Sequence, residues 1–104
     1  MTCKWVHGRL SAYNGTPTLR LWEIGTHHLF GLGTNYEAVF RRHGFDDADE
    51  PDLPPSIERV FEGFQTNIFG DFQVCPLEAF RPGNMQPARV ISAKHLFVQR
   101  ISPD

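Results

Sequence analysis

Between Trp5 and Gly33, apolar and polar residues nearly alternate, and two dipeptides that favour tight turns, Asn14-Gly15 and Gly25-Thr26, interrupt them. A period of two sends successive side chains to opposite faces of a strand, so the segment predicts a three-stranded meander. Asn-Gly suits a type I′ turn, with positive φ at both central positions; Gly-Thr suits type II′, with glycine first. Counting outward from the first turn sets Leu10 opposite Leu19 and Gly8 opposite Leu21. Counting from the second sets Ile24 opposite His27, Leu21 opposite Phe30 and Leu19 opposite Leu32. One face then carries Val6, Gly8, Leu10, Leu19, Leu21, Phe30 and Leu32. The other carries Trp5, His7, Arg9, Arg20, Trp22, Ile24, His27 and Leu29. A slip of one residue would reverse every side chain, so agreement of both hairpins on one apolar face identifies the buried side.

After Gly33 the period changes. In "TNYEAVFRRHG", Asn35 can cap a helix and Gly44 can stop one, whereas Tyr36, Val39 and Phe40 are poor helix formers; a short helix and a ragged strand extension both stay open. "FDDADEPDLPP" reads as an acidic, proline-rich loop. "PPSIERVFEGF" predicts a short helix near 55–62, with proline at its start, Ile57, Val60 and Phe61 on one side and Gly63 at its end. Alternation returns in "QTNIFGDFQVCPL", with Ile68, Gly70, Phe72 and Val74 on one face and Phe69, Asp71, Gln73 and Cys75 on the other. A turn around Pro82-Gly83 leads into "ARVISAKHLFVQR", a long strand whose phase breaks. A bulge near Ser92 to His95 repairs it.

Five strands are thus expected near 3–13, 17–24, 27–33, 65–75 and 88–100. The order describes an all-β chain: a small five-stranded OB-fold-like Greek-key barrel with one short helix between strands 3 and 4, filling residues 1–104 as a single domain. An SH3-like barrel is the alternative, although it rarely carries a helix at that point. Leu10, Leu19, Leu21, Phe30, Ile68, Phe72 and Val98 are the expected core. Gly8 and Gly70 fall inside strands, where a small barrel needs sharp bends.

At 104 residues there is room for one domain and not for two, and with nine Phe and two Trp a core is possible without metal or disulfide staples. The net charge of −2 excludes a polycation. Asp46, Asp47, Asp49, Glu50 and Asp52 hold five of the twelve acids, which leaves seven against ten Lys and Arg elsewhere. That balance permits an anionic ligand and argues against tight binding to nucleic acid by charge alone. No apolar run of membrane-spanning length occurs, so no membrane partner is expected. No leader is visible before the first strand, which points to the cytoplasm by default, or to the periplasm or outside if the chain is a processed form.

The pattern "GRLSAYNGTPTLRLW", "FGDFQVCPL" and "RPGNMQPARVISAKHLFV" is similar to small uncharacterised bacterial β-barrel proteins that have no assigned activity. The resemblance spans most of the chain. It implies a single domain and nothing about chemistry.

The candidate binding residues are Trp5, His7, Arg9, Arg20, Trp22 and His27. In the counted register Trp5 meets Ile24, His7 meets Trp22, and Arg9 meets Arg20, a like-charge pair that calls for nearby negative charge. Aromatic faces interleaved with cations are what single-stranded nucleic-acid sites use, because every base can stack and every nucleotide carries a phosphate. The expected function is a binding module for such an anion. The alternative is a structural or protein-interaction domain whose outer face lies under its own 34–63 connection or under a partner. No cofactor, metal or catalytic residue is expected. His27 and His28 are adjacent and point apart, and no HxH, HxxxH or CxxC spacing occurs. Cys75 stands beside Pro76 with nothing to activate it. Asp71, in a strand, is expected to accept backbone donors at a barrel corner, and Glu23 and His28 to pair at the rim. Cys3 and Cys75 share the outer positions of strands expected to be neighbours, so a disulfide and a chance placement both remain open.

Overall fold

The computed structural model describes residues 2–13, 19–32, 53–61 and 66–101. The Asn14-Gly15 turn, the 34–44 segment and the acidic loop 46–52 lie outside them. Five strands and one short helix follow in the order β1 (Lys4–Ala12), β2 (Leu19–Glu23), β3 (Leu29–Leu32), α1 (Pro55–Glu58), β4 (Thr66–Pro76) and β5 (Gln86–Arg100). The strands close into a barrel in the order β1-β2-β3-β5-β4, with β4 back against β1. Every pairing is antiparallel except the short parallel contact of β3 with β5.

The apolar face runs inward as the alternation requires. Val6, Leu10, Leu19, Leu21, Phe30, Leu32, Ile68, Phe72 and Val74 are all buried, joined by Ala88 and Val90 of β5. Val98, expected in this core, is only partly buried: it pairs with Ile68 of β4, but among the described residues β3 flanks β5 only at Gln86–Ala88 and leaves its other edge uncovered there. The β2–β3 register is the counted one, with Leu19 opposite Leu32 and Leu21 opposite Phe30.

Three local expectations are corrected. The β1–β2 register is displaced by two residues, placing Leu10 opposite Leu21 and Arg9 opposite Trp22. An even displacement keeps every side chain on its face, so the burial pattern that determines the face cannot distinguish the two registers. The β2–β3 connection is a four-residue loop, 24–27, rather than a two-residue turn. Glu23 N–H donates to the His28 carbonyl (3.0 Å), and the Glu23 carbonyl accepts from both Thr26 N (3.2 Å) and Thr26 Oγ1 (2.7 Å). Gly25 supplies the positive φ of 88° inside that loop. The helix expected over 55–62 is a single turn. Pro54 and Pro55 start it, and backbone bonds from Val60 and Phe61 to the Ile57 carbonyl carry the turn onward. Its work is done by Ile57, which is fully buried in the barrel core.

Gly8 and Gly70 face each other across β1 and β4. What they supply is space. A Cβ on Gly8 would stand 2.8 Å from both Leu21 Cδ1 and the Trp22 carbonyl oxygen. One on Gly70 would stand 2.8 Å from Leu96 Cδ2 and 3.1 Å from the Lys94 carbonyl oxygen. One residue pair beyond the paired ends of these strands, Cys3 and Cys75 form a disulfide with Cα atoms 4.1 Å apart. It staples the seam that closes the barrel and removes Cys75 from any nucleophilic role.

Candidate functional site

The outer ends of β1 and β2 build a stacked pair. Arg9 and Trp22 are direct cross-strand partners, and the Arg9 guanidinium carbon stands 5.1 Å from the Trp22 ring centroid. Arg9 Nη2 donates to Tyr13 Oη (3.2 Å), while Trp22 Nε1 donates to the Thr26 carbonyl (2.8 Å), so both rings are oriented by a polar contact. Arg9 Nε is buried without a hydrogen-bond partner. Among the described residues no carboxylate pairs with Arg9. Around the pair, Tyr13, Thr26, His27 and Leu29 complete a shallow open concavity of about 490 Å³.

Arg20 is not opposite Arg9. Its cross-strand partner is Ser11, and its guanidinium lies over the Tyr13 ring at 4.8 Å. The like-charge pairing expected from the counted register is therefore absent, and each arginine rests on an aromatic face instead. His7 lies level with Ile24, whose N–H donates to its carbonyl, and not with Trp22. Trp5 pairs with Gln73 of β4 rather than with Ile24 and is 44% exposed. The six candidate residues thus divide: Arg9, Trp22 and His27 line one concavity, Arg20 buttresses its Tyr13 wall, and Trp5 and His7 belong to the β1–β4 surface.

On that second surface Asp71 departs from expectation. Its two oxygens hold two imidazoles, Oδ1 with His7 Nδ1 at 3.2 Å and Oδ2 with His95 Nδ1 at 2.8 Å. The hydrogen bonds from His95 and then from His7 hold its carboxyl below the usual carboxylate range. Beside this cluster Lys94 Nζ lies 4.4 Å from the Trp5 ring centroid. Further along the same face Phe69 and Phe97 pair at 6.3 Å, and Phe97 is 65% exposed.

The rim contact is as expected. His28 Nδ1 lies 3.6 Å from Glu23 Oε1, and its Nε2 lies 2.7 Å from Gln86 Oε1. The ring stacks on Phe30 at 4.2 Å and meets Phe80, tilted by 42°, at 4.3 Å, which makes it a structural plug for that end of the barrel. Among the described residues no group of three or more His, Cys, Asp or Glu is placed to hold a metal ion, and no helix is long and apolar enough to cross a membrane. Comparison with known proteins finds no matching family model, no similar curated protein and no similar solved structure.

Proposed function

We propose that the outer face of β1–β3 is a binding platform for single-stranded nucleic acid, with Trp22 and Tyr13 as stacking faces and Arg9 as the phosphate contact. The observation that carries this reading is the Arg9–Trp22 pair in the lining of an open concavity. A flat ring and a cation at one point meet the two features that every nucleotide has, its base and its phosphate, and base stacking contributes about 1–3 kcal/mol per base. The architecture supports the reading as well: the chain forms a small five-stranded barrel, and we take it as OB-fold-like, a fold that binds oligonucleotides on the face of its second and third strands. Ligand binding without catalysis is the role proposed. The net charge of −2 favours modest affinity weighted toward stacking. The Cys3–Cys75 bond favours an oxidising compartment.

A second reading is a protein-interaction domain. The exposed Phe97 beside Phe69 favours it, since an aromatic pair left in water is a feature of association surfaces. Titration of tryptophan fluorescence with single-stranded oligonucleotides of about 8 nucleotides, within the span one small barrel occupies, separates the two. The nucleic-acid reading expects saturable quenching that persists in Trp5→Phe and is lost in Trp22→Phe and Arg9→Ala. Absence of quenching in the wild-type protein overturns it and leaves the protein-interaction reading.

A further inference from the structure

The His7–Asp71–His95 cluster is assembled from three strands by a bulge. Phe69 pairs with Phe97 and Asp71 with Lys94, so Gly70 alone faces both His95 and Leu96. His95 takes a φ of 56°, in the left-handed region that a non-glycine residue seldom enters. The bulge closes down on Gly70, where there is no Cβ to resist Leu96 and the Lys94 carbonyl. Its consequence is directional. Neighbouring residues of a regular strand point to opposite faces. Here Lys94 and His95 both reach the outer face, Lys94 onto Trp5 and His95 onto Asp71. Re-aiming a side chain at the cost of regular pairing is a recurrent use of bulges.

Asp71 fixes both rings by the same nitrogen. With Nδ1 on the carboxylate, Nε2 of each ring is turned away from it, and both side chains are largely in water, 65% exposed for His7 and 74% for His95. The charged and titratable groups that the three strands turn to this patch are His7 from β1, Asp71 from β4, and Lys94 and His95 from β5. Arg9 stands at the next outward position of β1, about 7 Å further along. Beside the Lys94 ammonium, which lies over Trp5, the patch carries two imidazole Nε2 atoms that Asp71 does not use.

We propose that His7, His95 and Lys94 form a binding site for a phosphate oxyanion, with Asp71 as the residue that positions both rings. The phosphate can be free or part of an oligonucleotide lying across the neighbouring Arg9–Trp22 platform; only the latter source rests on the nucleic-acid reading.

The test follows the histidine side-chain NMR signals of the wild-type protein during addition of inorganic phosphate. Chloride at matched ionic strength is the control. The expected result is a saturable shift of the His7 and His95 signals, with His27 unmoved. Loss of saturation in both Lys94→Gln and His95→Gln, with thermal midpoints showing that each still folds, would complete the assignment. No saturable shift, or equal shifts with chloride, overturns the site. A second arm uses a single-stranded oligonucleotide. Phosphate saturation without oligonucleotide binding retains this site and removes the platform. Oligonucleotide binding that Arg9→Ala weakens, but that His7→Gln and His95→Gln leave unchanged, retains the platform and removes this site as part of the strand's path.

Discussion

Arg9 stands directly across the sheet from Trp22, with its guanidinium over the indole at 5.1 Å. The pair has a stability role and a binding role of different size. A cation–π contact is worth about 0.5–1 kcal/mol at an exposed site and about 2 kcal/mol where desolvated, and Arg9 is half-buried. Arg9→Ala should therefore lower the unfolding free energy by about 0.5–2 kcal/mol, read from a chemical denaturation midpoint. It should weaken oligonucleotide binding across sequences and reduce the salt slope by about one. Arg9→Lys should recover the charge without the planar stack, and so recover the salt slope better than the affinity.

The core prediction concerns Leu21, fully buried between Leu10 on one side and Phe30 on the other. Leu21→Ala should cost about 2–5 kcal/mol in equilibrium unfolding, the range for large-to-small changes in a packed interior. A loss that size at Leu21, against a small one at the outward Arg20, would confirm the inward face.

That face was legible because it depends only on parity. Every residue assigned inward from Val6 to Leu32 is buried. The β1–β2 register was not legible, because displacement by two residues preserves parity, so Arg9 moved from Arg20 to Trp22 without changing sides. That the candidate residues point outward was legible for the same reason. Their grouping was not. Which outward residues touch depends on how β1 meets β4 across more than sixty positions of chain, and on a bulge that puts His95 beside Asp71. The broken phase of the last strand showed that a bulge was needed there, but not which side chain it would redirect.

The disulfide prediction uses the barrel seam. Cys3 and Cys75 join segments 72 positions apart, and their removal frees the start of β1 from the end of β4. The double change to serine should cost about 2–4 kcal/mol, and a reductant should lower the wild-type denaturation midpoint while leaving the double variant unmoved. An unchanged wild-type midpoint under reductant would show that the seam holds by its ladder alone.

Glycine replacements should separate crowding from backbone conformation. At Gly8 a methyl group meets the Trp22 carbonyl and Leu21 at 2.8 Å, and the carbonyl belongs to the sheet, so Gly8→Ala should cost about 1–3 kcal/mol. At Gly25 the surroundings are open and only the φ of 88° is at issue, so Gly25→Ala should cost about 1–2 kcal/mol. A D-alanine at position 25, introduced by chemical synthesis, should remove that cost, because it prefers positive φ. No such rescue is expected at position 8.

The last prediction concerns acid. Asp71 is held below its usual value of 3.8 chiefly by the hydrogen bond from His95 and then by that from His7. A carboxyl whose folded pKa is depressed stabilises the fold above the unfolded value, and that contribution is lost as pH falls through the folded one. The unfolding midpoint of wild type should therefore exceed that of Asp71→Asn at mildly acidic pH. The gap should narrow steadily as pH drops below 3.8 and Asp71 takes up its proton. Both imidazoles are exposed, so water and salt screen the pair and the gap should be small and shrink further in high salt. Its pH dependence is the diagnostic. A difference between the two proteins that stays constant from mildly acidic conditions to well below the carboxylate range would mean that Asp71 matters only for its shape in the strand. It would also mean that the two histidines are not held by its charge.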